Sequence, residues 1–256
     1  QQDPVHNTTF YLAVVGRHND VDTPLLLRMG LASSPSSGIF PKALLIGRMR
    51  PGGGREVVVN AISFSKDDAA AIRTFAQQVD RAFLPRPLGA HSALTVVTDD
   101  PEAAFDGFRS VHKQTGLNAA SLRVERVELA IWAAIRAGWR EGFSVSARIA
   151  APSLEAATAA IHQSILFSRF SFDVSAFAAP PADETWLFDE FARPLTIAGH
   201  GYRFDEKAIR YLAARYAPAL RMQQELHDFV RGEKISAGLG RSFEFELQLE
   251  TGEPED

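Results

Sequence analysis

The chain has 256 residues, 46% hydrophobic and 23% charged, a balance that belongs to a globular protein long enough to bury a sizeable core. A formal net charge of −4 leaves no electrostatic footprint for nucleic acid or an anionic membrane surface. With no cysteine, disulfides, thiolate catalysis and cysteine-ligated zinc are excluded for this chain.

No apolar run approaches the roughly 18 residues that span a bilayer. The N-terminal QQDPVHNTTF lacks the basic-then-apolar pattern of a secretion signal. A cytoplasmic protein with no nucleic-acid or membrane partner is therefore expected, and nothing in the sequence signals an oligomeric state.

In chain order, FYLAVVG (Phe10 to Gly16) reads as a short apolar strand, and TPLLLRMGLA after Asp22 as a helix with Pro24 in its first turn. SSPSSG (Ser33 to Gly38) is a loop. ALLIGRMR and REVVVNAISF, separated by PGGG (Pro51 to Gly54), form the two strands of a hairpin. From Ser65 the pattern alternates: a helix over 67–83, the break LPRPLG, and a strand over 91–97. The next helix opens with Asp100 as N-cap and Pro101 at its first position, and stops at Gly116. Another helix covers 124–138.

The stretch from Ile131 to Ser175 carries the clearest signature. After a helix ending near Gly142, FSVSARIAA alternates as a strand, SLEAATAAIHQSILF is an amphipathic helix, and RFSFDVS is a second strand. Beyond AFAAPPADE come a short helix near Trp186 to Phe191, a loop around Gly199 to Gly201, and a long helix from Asp205 to Arg231 with a kink or break at Pro218. SFEFELQLE (Ser242 to Glu250) alternates strictly as a last strand. Only six residues follow, which suggests either a pattern cut short or a strand that closes a sheet.

Strand–helix alternation favours parallel pairing with right-handed crossovers. The expected architecture is a single α/β domain over 1–256: a (β/α) barrel-like arrangement, complete or incomplete, with an N-terminal β-hairpin. An open doubly wound sheet is the alternative, and periodicity does not choose between them.

In both architectures sites gather at the carboxyl ends of strands. Asp99 and Asp100 follow HSALTVV, where Asp99 is placed to bind a metal or a sugar hydroxyl and Asp100 to cap a helix. Asp173 lies within an apolar strand, a costly position for a charge unless it is paired or sits at a mouth. Glu244 and Glu246 alternate with Phe243, Phe245 and Leu247 and so face away from them, with Glu250 nearest the carboxyl end.

None of the seven histidines has metal-site spacing. His200 is flanked by Gly199 and Gly201, which let backbone approach a ligand, whereas His91 at the start of a strand reads as structural. Arg48, Arg50 and Arg55 surround three glycines, a grip for phosphate or carboxylate or else a solvated hairpin, and Arg86 in LPRPLG is a comparable loop arginine. No GxSxG elbow is present.

AIRAGWREGFSVSARI followed by SRFSFDVSAF resembles the tagaturonate epimerase family, in which a strand motif of the form ADHI precedes a strand of the form FTIDVADF. The terminal SFEFELQLET resembles that family's strand bearing a glutamate and a DET-like sequence. The resemblance covers roughly Ile131 to Thr251. It implies a barrel-like enzyme, dependent on a divalent metal, that inverts one hydroxyl-bearing carbon of a keto-uronate. Asp173 would match the aspartate of the second strand, and Glu246 and Glu250 the acidic positions of the last. Where the family has ADHI, this chain has Ser146-Ala147-Arg148-Ile149, so alanine and arginine replace an Asp-His pair. Arg148 cannot ligate a cation and would instead repel one or pair with a carboxylate.

Three readings of function follow. The first is an epimerase or isomerase of a small sugar acid, using Asp173, Glu246 and Glu250 for proton transfer, and Arg148, Arg48, Arg50, His200 and Asp99 to hold the substrate. The second is a non-catalytic sugar-ligand-binding or scaffold domain derived from such an enzyme. The third is a carboxylate-pair glycosidase.

Overall fold

The sequence alternates between two-residue and 3.6-residue periods, and the two periods sort into two sheets with helices laid on them. The computed structural model describes residues 2–3, 7–18, 21–32, 40, 43–89, 91, 93–117, 119–177, 195–203 and 205–248. SSPSSG and the helix expected near Trp186 to Phe191 lie outside these. The chain forms two compact units, Gln1–Val145 and Ser146–Asp256, with the boundary inside one strand.

In the first unit, strands β1 (Gln2–Asp3), β2 (Thr8–His18), β3 (Val21–Leu31), β4 (Leu44–Met49) and β5 (Val57–Ser63) form an antiparallel sheet of order β1-β2-β3-β5-β4. The expected hairpin is β4–β5. TPLLLRMGLA is not a helix: as β3 it pairs with β2 on one side and β5 on the other. Three consecutive leucines suit either period, and the hydrogen bonds offered by two neighbouring strands outweigh their helix propensity.

Helix α1 (Ala69–Gln78) has Asp68 as its cap and buries Ile72, Phe75 and Ala76. Phe75 meets Phe10 edge-on with centroids 5.4 Å apart, and Phe40 and Phe64 complete the cluster. The helix expected over 67–83 is thus shorter and ends in a separate 3₁₀ turn at Arg81–Phe83.

Strands β6 (Leu94–Val97) and β7 (Ala120–Arg123) run parallel, joined by α2 (Pro101–Thr115). The Asp100 carboxylate accepts from the backbone of Glu102 and Ala103, and Gly116 at φ 73° ends the helix, as the capping residues predict. Helix α3 (Val127–Ala137) packs against α1 and α2. Its buried Glu128 accepts from Arg73 Nε at 2.7 Å, and Trp132 Nε1 donates to the Phe64 carbonyl at 3.2 Å. Strand β8 (Phe143–Ala150) begins here, and Phe143 meets Phe105 of α2 at 5.2 Å.

In the second unit β8 continues beside β9 (Arg169–Asp173), which pairs in parallel with β12 (Glu244–Gln248). Helix α4 (Leu154–Gln163) connects β8 to β9, and α5 (Glu206–Ser236) precedes β12. Strands β10 (Leu195–Ile197) and β11 (His200–Tyr202) make a separate two-stranded hairpin. Helix α5 runs unbroken through Pro218, although proline removes a helical donor. The flanking Ala217 and Ala219 are fully buried, and that packing holds the helix together.

The fold is therefore α/β, with an antiparallel sheet and a parallel five-stranded sheet of order β12-β9-β8-β7-β6. The order is sequential, without the reversal that defines a doubly wound sheet. Among the described residues β6 and β12 remain its edges, so closure into a barrel is not seen. No helix among the described residues is long and apolar enough to cross a membrane.

Candidate functional site

Successive residues of a strand point to opposite sheet faces, so the register of β8, β9 and β12 assigns each side chain to one of two surfaces. Ala147, Ile149, Phe170, Phe172, Phe245 and Leu247 share the apolar face. His227 of α5 covers that face, its ring 5.2 Å from Phe243 and 5.6 Å from Phe245. Lys234 lies over the Phe170 ring.

The opposite face is polar except for Ala150. Across the strands its three rungs are Ser146, Arg169, Glu244; then Arg148, Ser171, Glu246; then Ala150, Asp173, Gln248 at the carboxyl ends. Of the expected residues, the structure brings Arg148, Asp173 and Glu246 onto this one face.

Glu246 accepts from Arg169 Nη2 at 2.6 Å. Both side chains are about two-fifths exposed, so the pair fixes geometry more than it stabilises, contributing at most about 1 kcal/mol. Asp173 Oδ1 accepts from Ser175 Oγ at 2.6 Å and from Ser175 N at 3.1 Å. These two bonds hold its carboxyl below the usual carboxylate range; the Arg148 charge adds to the effect and slight burial opposes it. Its charge at neutral pH is thereby secured, and its strength as a base reduced.

Ser171 is different. It is 3% exposed, and its hydroxyl has no hydrogen-bond partner among the described residues. A buried hydroxyl left in that state costs about 1–3 kcal/mol, and it stands between Arg148 and Glu246 on the middle rung.

The other expected residues lie apart from this face. Arg48 Nη1 and Arg50 Nη2 share the Glu56 carboxylate at 3.0 and 3.6 Å, so the glycine-rich hairpin carries an internal ion cluster where an anion grip was expected. His200 is not in a loop but is the first residue of β11, exposed and paired with Ile197; the positive-φ turn falls one residue earlier, on Ala198 and Gly199. Asp99 follows β6 and lines a cavity of about 350 Å³ with Lys66, Asp100, Glu102 and Trp132, all in the first unit. Glu250 lies outside the described residues.

The described residues around Asp173 do not suit a divalent cation. A guanidinium neighbours the carboxylate, and Ser175 occupies one of its oxygens. His162 bonds Glu233 at 3.0 Å and His227 packs on the apolar face, so neither reaches Asp173. Among the described residues no group of three His, Asp or Glu gathers as a metal site would require.

Sequence reasoning missed Arg169, Ser171 and Ser175. The alternation of RFSFD was the available signal, since it sets Arg169, Ser171 and Asp173 on one face. No family model, curated protein or solved structure matches the chain.

Proposed function

We propose that the polar face of β8, β9 and β12 binds a small polyhydroxy acid of the keto-uronate class. The Ser171 hydroxyl, without a partner among the described residues, carries this reading: it is a buried group set between a guanidinium and a carboxylate, the three functional types that a hydroxy acid satisfies together. In the complex the Arg148 fork takes the ligand carboxylate, Ser171 bonds a hydroxyl, and Asp173 and Glu246 accept from further hydroxyls.

Binding without turnover is the better-supported form, because the Ser175 bonds lower the Asp173 pKa, the direction opposite to that of a carboxylate tuned as a general base. An epimerase or isomerase is the second reading, favoured by the position of Asp173 at the carboxyl end beside Arg148. Titrating the chain with tagaturonate by calorimetry, with Arg148→Gln as control, tests the binding. Proton NMR of the same mixture separates the two readings, since conversion to a second keto-uronate appears as new ring-proton signals. Heat of binding that is absent, or that Arg148→Gln leaves intact, removes both.

A further inference from the structure

The segment LPRPLG is used by none of the chemistry above, and it stands at the amino end of the parallel strands of the first unit. Arg86 sits between two prolines. Pro85 has a fixed φ, and a residue before proline, here Arg86, is confined to extended backbone, so its Cα position and exit direction are set locally. Its backbone N–H donates to the Phe143 carbonyl at 2.9 Å, at the start of β8.

The side chain is fixed as well. Arg86 Nη2 donates to the Glu141 carbonyl at 2.7 Å, and the guanidinium lies against Gly142, where any Cβ would collide with it. Gly142 has φ +91°, a conformation that favours glycine for a second reason. Trp139 Nε1 donates to the Gly142 carbonyl at 2.9 Å and anchors this corner to the aromatic cluster of Phe105 and Phe143.

The arginine so held lines a cleft of about 620 Å³, within the range of small-molecule sites. Pro87, Leu88, Leu117 and Ala119 supply an apolar wall, and Arg86, His91 and Glu141 are its polar groups. Gly116, the carboxyl-end cap of α2, also lines it and brings the negative end of the helix dipole.

From this arrangement we infer a second ligand site, separate from the polar sheet face, that takes a small apolar monocarboxylate. Among the described residues the Glu141 carbonyl is the one acceptor of the Arg86 guanidinium, which leaves N–H groups to form a planar fork with a carboxylate. Pro87, Leu88 and Leu117 receive an aliphatic body. Glu141 and the end of α2 repel a second negative charge, so dicarboxylates and phosphate monoesters are selected against. Because the fork is held in place before binding, little side-chain entropy is lost on capture.

The test uses the full chain, labelled with ¹⁵N, titrated with 4-methylpentanoate while the Trp139 indole N–H resonance is followed. That resonance is assigned from its disappearance in Trp139→Phe. A saturable shift is expected with 4-methylpentanoate and not with the neutral 4-methylpentanamide, and succinate should bind more weakly. Arg86→Gln should weaken binding by about tenfold or more, the loss typical of a charge-assisted pair. Arg86 is exposed, so circular dichroism and melting should be unchanged in that variant. Equal binding of the amide, unaltered affinity in a folded Arg86→Gln protein, or no shift at the solubility limit of the acid each overturns the assignment. The polar sheet face is untouched by these variants, and its own test is independent.

Discussion

Replacing Lys234 by methionine probes how the second unit tolerates a charge in its interior. Lys234 is 4% exposed on α5, and its ammonium donates to the carbonyls of Phe167 at 2.7 Å and Ile165 at 3.1 Å. Burial lowers its pKa from 10.5 to about 8, so keeping it charged at neutral pH costs about 3 kcal/mol. Methionine removes that cost, and also strips two carbonyls of a donor at about 1–3 kcal/mol each where no water replaces it. The two effects nearly cancel at pH 7, and the decisive quantity is their pH dependence. Between pH 8 and 10.5 the unfolded chain holds a proton on Lys234 that the folded chain has released, so wild-type stability gains from Lys234 as pH rises. The contribution grows through the folded value of about 8 and is complete above 10.5. Urea unfolding of both proteins at pH values across this window measures it. The stability of wild type minus that of Lys234→Met should climb by about 2 kcal/mol from neutral pH to one unit below the unfolded pKa. A flat or falling difference would refute the claim that burial dominates over the two carbonyls and the Phe170 ring.

Asp173 should titrate below the usual carboxylate range when followed by ¹³C NMR of its carboxyl carbon, and Ser175→Ala should raise that midpoint by removing the hydroxyl donor. Because the folded pKa is lowered, the stability Asp173 contributes is present above its unfolded pKa and is lost as pH falls through the folded one, a loss that Asp173→Asn should abolish. Ser171→Ala should stabilise the chain by about 1 kcal/mol in urea, since it deletes a buried hydroxyl that has no partner among the described residues. The same variant should weaken tagaturonate binding, and a variant that is less stable or binds equally well contradicts the role given to that hydroxyl.

What was legible depended on how local the cause is. Asp100, Pro101 and Gly116 bound α2 as expected because capping is settled within one turn. FSVSARI, RFSFD and EFELQ read as strands because each has one face under helices and one polar face, which enforces strict alternation. β3 was misread because Leu25, Leu26 and Leu27 carry no period, and only pairing with β2 and β5 decides their form. β7 escaped because four residues are too short for any period to show. The site divides in the same way. RFSFD alone assigns Arg169, Ser171 and Asp173 to a common face, but the Arg169–Glu246 bond joins residues 77 apart, and only the register of β9 with β12 creates it.

The polar face of the second unit also bears on why its residues are there. A sheet with helices on one side is stable with any well-solvated residues on the other, so exposed Arg148 needs no special account. Ser171 does, since it is buried and has no partner among the described residues, at a place where alanine is expected to stabilise. Proteins keep locally unfavourable groups where function draws on them. Arg86 follows the same logic at the other ligand cleft, where two prolines and a glycine at φ +91° restrict the backbone to hold one guanidinium. In β8, Ala147 is buried toward the helices and Arg148 lies on the polar face, where a guanidinium suits recognition of an anion and not coordination of a cation.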